Sequence, residues 1–193
     1  MSGRNPILHE TVRAELDRIF ASVTKEILSY SPPDPQLFVD ALLGKVTVVN
    51  SYAERLLVTR VGERAVRIVR SFFDDVVAVR KPFDFEGTLV TSGRRYTVKV
   101  VSGPKAFNST TRKAVEEASY GVSNPIILTL QGSFRDTHVK RIGAAKWYDG
   151  VATWSFLTGV RGAYRDFKRV VYEVGRKYRG QLISYMISLS RRE

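Results

Sequence analysis

Cysteine is absent from this chain, which excludes disulfides, a thiolate nucleophile and zinc–thiolate coordination. Histidine is nearly absent: His9 and His138 stand far apart, so a histidine-based zinc site lacks a ligand set. Any metal would then be held by carboxylates, which suit Mg²⁺ or Mn²⁺. No apolar run approaches the roughly 18 residues that span a bilayer, so no membrane partner is expected. The opening MSGRNPILHETV lacks the basic-then-apolar layout of a secretory signal, and the expected location is the cytoplasm. There is no Gly-x4-Gly-Lys-Ser/Thr phosphate loop and no local Ser-His-Asp motif.

Acidic residues are scarce relative to basic ones: 19 Asp and Glu against 31 Lys and Arg, a formal net charge of +12. An excess of that size favours a polyanionic partner, and nucleic acid is the commonest. The charge is polarised, because the first 34 residues are close to neutral while 161–193 hold nine basic and three acidic residues. A hydrophobic fraction of 44% in 193 residues is enough for one folded domain with a core.

Asn5-Pro6 opens a helix in which Val12, Leu16, Ile19, Phe20, Val23 and Ile27 recur at three- and four-residue steps. Ser31-Pro32-Pro33-Asp34-Pro35 ends it and starts another helical face that runs to Gly44. Ala53, Leu56, Leu57, Val61, Ala65, Ile68, Val69 and Phe72 predict a helix over about 51–74, although its valines leave strand alternatives open. Residues 76–79 read as a strand start or a connector. The segments 88–91 and 96–101 predict a hairpin turning at Ser92-Gly93. Asn108 caps a helix to about Ser119, and Ile126 to Leu130 reads as a buried central strand. Tyr164 to about Leu189 predicts a helix interrupted or bent near Gly175 and Gly180. The sum is an α/β fold, one domain over 1–193: helical over 1–80, a hairpin and small central sheet over 83–132, and helical again over 150–190.

The stretch 83–108, FDFEGTLVTSGRRYTVKVVSGPKAFN, carries the chemistry. Asp84 and Glu86 lie two apart, so on a strand both side chains face the same way, and Lys99 falls on the returning strand. Metal-dependent phosphodiester hydrolysis needs carboxylates for the metal and a lysine to orient water or steady charge. Acids and lysines facing each other across a hairpin also form ordinary solvated faces, worth under ~1 kcal/mol per pair. The hairpin by itself leaves both readings open.

The run from Tyr96 through Lys99, Ser102, Gly103 and Pro104 to Asn108 resembles the strand-to-loop signature of type II restriction endonucleases of the PD-(D/E)XK superfamily. Asn5-Pro6, Val39-Asp40 with Leu42-Leu43, Ser51 through Glu54-Arg55, and Gly62-Glu63 resemble its N-terminal helical region. Trp154-Ser-Phe-Leu-Thr-Gly159 with Tyr164 resembles its C-terminal Trp-x-Phe-Leu-Thr/Ser-Gly element. The resemblance implies a restriction-endonuclease-like fold with a small central mixed β-sheet flanked by helices. It further implies a site-specific deoxyribonuclease that uses Mg²⁺ (or Mn²⁺) on double-stranded DNA, acting as a homodimer so that both strands of a palindrome are cut.

By position, the resemblance assigns Glu86, Asp84 and Glu63 to metal binding, and adds Lys99 to complete the catalytic set. The family motif before Ser-Gly-Pro is acid-x-Lys; here it reads Lys99-Val100-Val101, so lysine stands at the acid position and Val101 at the lysine position. Lys99, pointing to the same face two residues earlier, would supply the ammonium, with Lys105 or Lys113 as substitutes. The alternative is a catalytically inactive, nuclease-derived protein that binds DNA or assembles with partners. Lys105, Asn108, Arg135, Lys140, Arg141 and Lys146 are the candidate DNA contacts. Trp147, Tyr148 and Trp154 read either as stacking platforms or as core packing, and His138 as a general base or an ordinary loop histidine.

Overall fold

The computed structural model describes residues 6–30, 45–103, 106–131 and 139–190. Helix α1 (Pro6–Leu28) turns Val12, Leu16, Ile19, Val23 and Ile27 into one buried stripe, as their spacing dictates. Helix α2 (Lys45–Arg70) begins earlier and ends sooner than expected. Its last turns bury Ala65, Ile68 and Val69, and the chain then enters strand β1 (Phe73–Val77). The helical face expected over 35–43 lies outside the described residues.

Strands β2 (Phe85–Leu89) and β3 (Arg94–Val101) form the hairpin, in register Phe85↔Val98 through Leu89↔Arg94. Its first strand starts and ends earlier than the β-branched run at 88–91 suggested, since Val90 to Gly93 make the turn. Helix α3 (Ser109–Ala118) follows, with a short 3₁₀ turn over 119–121. Strand β4 (Pro125–Thr129) is buried at every residue. A second hairpin, β5 (Val139–Ile142) and β6 (Ala145–Tyr148), was not foreseen. Helix α4 (Gly150–Thr158) and helix α5 (Ala163–Ser190) close the chain. Contrary to the expected break at Gly175 and Gly180, α5 is assigned without interruption, and Gly175 lies against the Phe20 ring of α1.

The six strands make one mixed sheet in the order β1-β2-β3-β4-β6-β5. β3, β4 and β6 run parallel to one another, while the two hairpins add antiparallel neighbours on either side. Alternation along each strand divides the side chains between two layers. Phe85, Leu89, Val98, Val100, Ile126 and Leu128 join the main core with α1, α2, α4 and α5. Val101, Ile127, Ile142 and Ala145 face the other way and pack with Phe107 and with Val115 of α3. Trp154 is fully buried in the main core, stacked on Phe167, and its indole N–H donates to Leu130 O at 3.0 Å. That is the core role of the two readings its sequence position allowed. Among the described residues no helix is long and apolar enough to cross a membrane.

Candidate functional site

The site grows out of the entry into β2. Asp84 precedes the strand by one residue, and its amide donates to Val98 O at 2.8 Å, which extends the β2–β3 ladder. Its carboxylate turns to the α3 layer and accepts twice from β3: from Lys99 Nζ at 3.0 Å and from the Val100 amide at 2.7 Å. Both members of the Asp84–Lys99 ion pair are largely covered, with about a fifth of each side chain exposed (22% and 19%). They form the floor of a pocket of 440 Å³ whose other walls are Lys81, Pro82, Thr110, Thr111 and Ala114. The expected meeting of an acid and a lysine across the hairpin therefore exists, and Asp84 is the acid.

The remaining assigned acids are elsewhere. Glu86 stands opposite Thr97, nearer the turn, and is held by Arg95 Nε. Glu63 is on α2, paired with Arg60 of the same helix at 3.0 Å, with half its side chain exposed. Neither lines the Asp84–Lys99 pocket. The α2 carboxylate nearest the Ser-Gly turn is instead Glu54, which lines a separate pocket of 520 Å³ with Leu57, Val61, Ser102, Gly103 and Gln131. Among the described residues no group of three Asp, Glu or His side chains is arranged to hold a metal ion. Among the described residues Asp84 is the single acid of its pocket, and its two oxygens accept from Lys99 and from the Val100 amide.

Val101, where the resemblance calls for lysine, is 5% exposed and belongs to the apolar layer with Phe107 and Ile127. Lys113 is exposed on α3 and does not line the pocket. Lys105, Arg135 and His138 lie outside the described residues.

The candidate DNA contacts separate by sheet face. Asn108 is a helix cap: its side chain accepts from Thr111 N at 2.9 Å, which satisfies one of the free amides at the start of α3. Arg141 and Lys146 are paired across β5 and β6, whereas the adjacent pair, Lys140 and Trp147, points to the opposite face. Trp147 donates its indole N–H to Thr129 Oγ1 at 2.8 Å and packs edge-on to Phe107. Two cations approach its ring, Arg112 at 5.4 Å and Lys140 at 5.5 Å. Lys81, Thr110, Thr111 and Arg112 were not singled out in the sequence. They carry no motif; the path of α3 over the sheet brings Thr110, Thr111 and Arg112 to this face, and the connection between β1 and β2 brings Lys81.

No protein-family model matches this chain, and no curated protein matches it in sequence.

Proposed function

We propose that this chain is a nuclease-derived protein that binds double-stranded DNA without cutting it. One observation carries the reading. Each acid that the resemblance assigns to metal binding sits in a separate ion pair: Asp84 with Lys99, Glu86 with Arg95, and Glu63 with Arg60, which also holds Glu26 at 2.6 Å. A hydrolytic centre needs such acids gathered on one ion, not distributed among separate ion pairs. The net charge of +12 supports a polyanionic partner. A mixed sheet whose central hairpin joins Asp84 to Lys99 supports restriction-endonuclease-like ancestry.

A second reading, metal-dependent endonuclease activity, is favoured by the Asp84–Lys99 contact itself, because Lys99 stands two residues before the position where the resemblance expects the catalytic lysine. In that reading Mg²⁺ and a homodimer would return as requirements.

One experiment separates the two. The protein is incubated with plasmid and with a labelled duplex, in Mg²⁺, in Mn²⁺ and in EDTA, beside Asp84→Ala. The expected outcome is a salt-sensitive gel shift that survives EDTA, with plasmid left supercoiled. Metal-dependent nicking or linearisation that disappears in Asp84→Ala would establish the endonuclease instead.

A further inference from the structure

Four residues from four strands stand side by side across the sheet: Lys99 is in register with Ile127, Ile127 with Trp147, and Trp147 with Lys140. At strand spacing the two lysines are about 14 Å apart. The row crosses the middle of β4 and the carboxyl-terminal halves of β3 and β6, on the side toward the edge at which open α/β sheets receive ligands. Helix α3 covers its middle, with Val115 in the apolar layer beside Ile127. One flank of α3 holds Lys81, Lys99 and Asp84, and the other holds Arg112 and Lys140 against Trp147. Lys113 is exposed on the helix between them.

The charge order along α3 runs against its dipole. Arg112 and Lys113 sit near its positive start, while Glu116 and Glu117 sit near its negative end. Folding alone favours the reverse order. Glu116 is also at the far end of the sheet, where its backbone and side chain approach the β5–β6 turn at Gly143. Among the described residues, the face around the start of α3 gathers five cations, while its carboxylate Asp84 is paired with Lys99, and Glu86, on the same sheet face nearer the β2–β3 turn, is paired with Arg95.

We infer that this face, with Lys81, Lys99, Arg112, Lys113 and Lys140 around Trp147, is the surface that docks the phosphate backbone of duplex DNA. The inference rests on the DNA-binding reading and says which surface carries it. Arg112 and Lys140 make phosphate contacts while stacked on the indole, which fixes two otherwise flexible side chains in place. Arg141 and Lys146, directed to the opposite face, are outside the contact.

The chain has two tryptophans, and Trp154 is wholly buried, so a change in indole emission on binding reports Trp147. The full chain is titrated with a 20-base-pair duplex, following tryptophan emission and the anisotropy of a labelled duplex over a range of salt. We expect an emission change that saturates together with the anisotropy and is missing in Trp147→Phe. Arg112→Ala/Lys140→Ala should bind about tenfold more weakly, with a salt slope lower by about two. Arg179→Ala, an exposed cation on the helical layer across the sheet, should bind as the parent does. Because the double variant removes ring contacts, its melting curve is compared with the parent's, and the exposed Lys113→Glu supplies a second test that should weaken binding without unfolding. Undiminished affinity and salt slope in both variants would overturn the docking face alone. No binding by the unmutated chain would overturn the DNA reading together with it.

Discussion

Asp84 and Val100 are joined by a 2.7 Å hydrogen bond in which a side-chain carboxylate, not a strand carbonyl, accepts the β3 amide. The same carboxylate holds Lys99 at 3.0 Å, so one acid serves as both the edge partner of the strand and the counter-charge of its lysine. Asp84→Ala therefore strands a covered ammonium and an amide at once, and should cost about 1–3 kcal/mol in urea unfolding. Lys99→Met keeps the alkyl stem and leaves Asp84 its amide partner, so it should cost less. The double variant should be less destabilised than the sum of the two singles. Strict additivity would show that the pair is not coupled.

Glu15 gives the fold an acid-sensitive joint between α1 and α2. It is buried at 6% exposure and accepts from Arg64 at 2.8 Å and from Arg18. Burial pushes its carboxyl up, but the hydrogen bond from Arg64 and the charges of Arg18 and Arg64 outweigh this and hold it below the usual value of 4.5. A carboxyl lowered by folding contributes stability above its unfolded value and loses it as pH falls through the folded one. The urea midpoint of the parent should therefore drop between about pH 5 and pH 3 by more than that of Glu15→Gln. Parallel pH profiles for the two proteins would remove Glu15 from the account.

Gly143 and Gly93 both have left-handed backbones, with φ of +57° and +64°, yet only one of them is crowded. A Cβ on Gly143 would meet Ser119 Oγ at 2.6 Å and Glu116 O at 2.8 Å; at Gly93 nothing lies within 4 Å. Gly93→Ala should cost about 1 kcal/mol from backbone strain, and Gly143→Ala about 2–4 kcal/mol because strain and overlap add. Thermal melts of the two variants side by side measure the difference, and equal melting points would contradict the packing of α3 on the β5–β6 turn.

Asn108 distinguishes capping from base or phosphate contact. Asn108→Ala should lower stability by about 1 kcal/mol, and Asn108→Asp should restore it, since either side chain can accept from Thr111 N. Duplex affinity should be the same for the alanine variant and the parent at a temperature where both are folded. A large loss of affinity with unchanged stability would return Asn108 to the DNA contacts.

The site was legible in the sequence where it depends on neighbours along one hairpin. Asp84 and Lys99 meet because a short turn at Ser92-Gly93 leaves little choice of register, and their period-two spacing sets the face. Glu86, two residues on, shares that face but is claimed by Arg95, a competitor that spacing does not rank against Lys99. Glu63 was the weakest assignment on physical grounds. It lies on α2, and helical phase alone does not say whether it or Glu54 reaches the Ser102-Gly103 turn. The β5–β6 hairpin was missed because Val139 to Tyr148 alternates poorly, with Lys and Arg in succession, and its turn relies on a single left-handed glycine.

Local physics determined much of this protein from its sequence: the apolar stripe of α1, the Asn108 cap, the hairpin, the apolar run Ile126 to Leu128 of β4 and the basic balance of charge. Each needs only near neighbours or composition, so a linear reading reaches it. Tertiary structure alone decided which charges gather beyond the hairpin. Parallel pairing of β3 with β4 and of β4 with β6 aligns Lys99 with Lys140, and the crossing of α3 sets Arg112 on Trp147. Those contacts join residues far apart in the chain, and no periodicity or motif encodes a register between strands that do not share a turn.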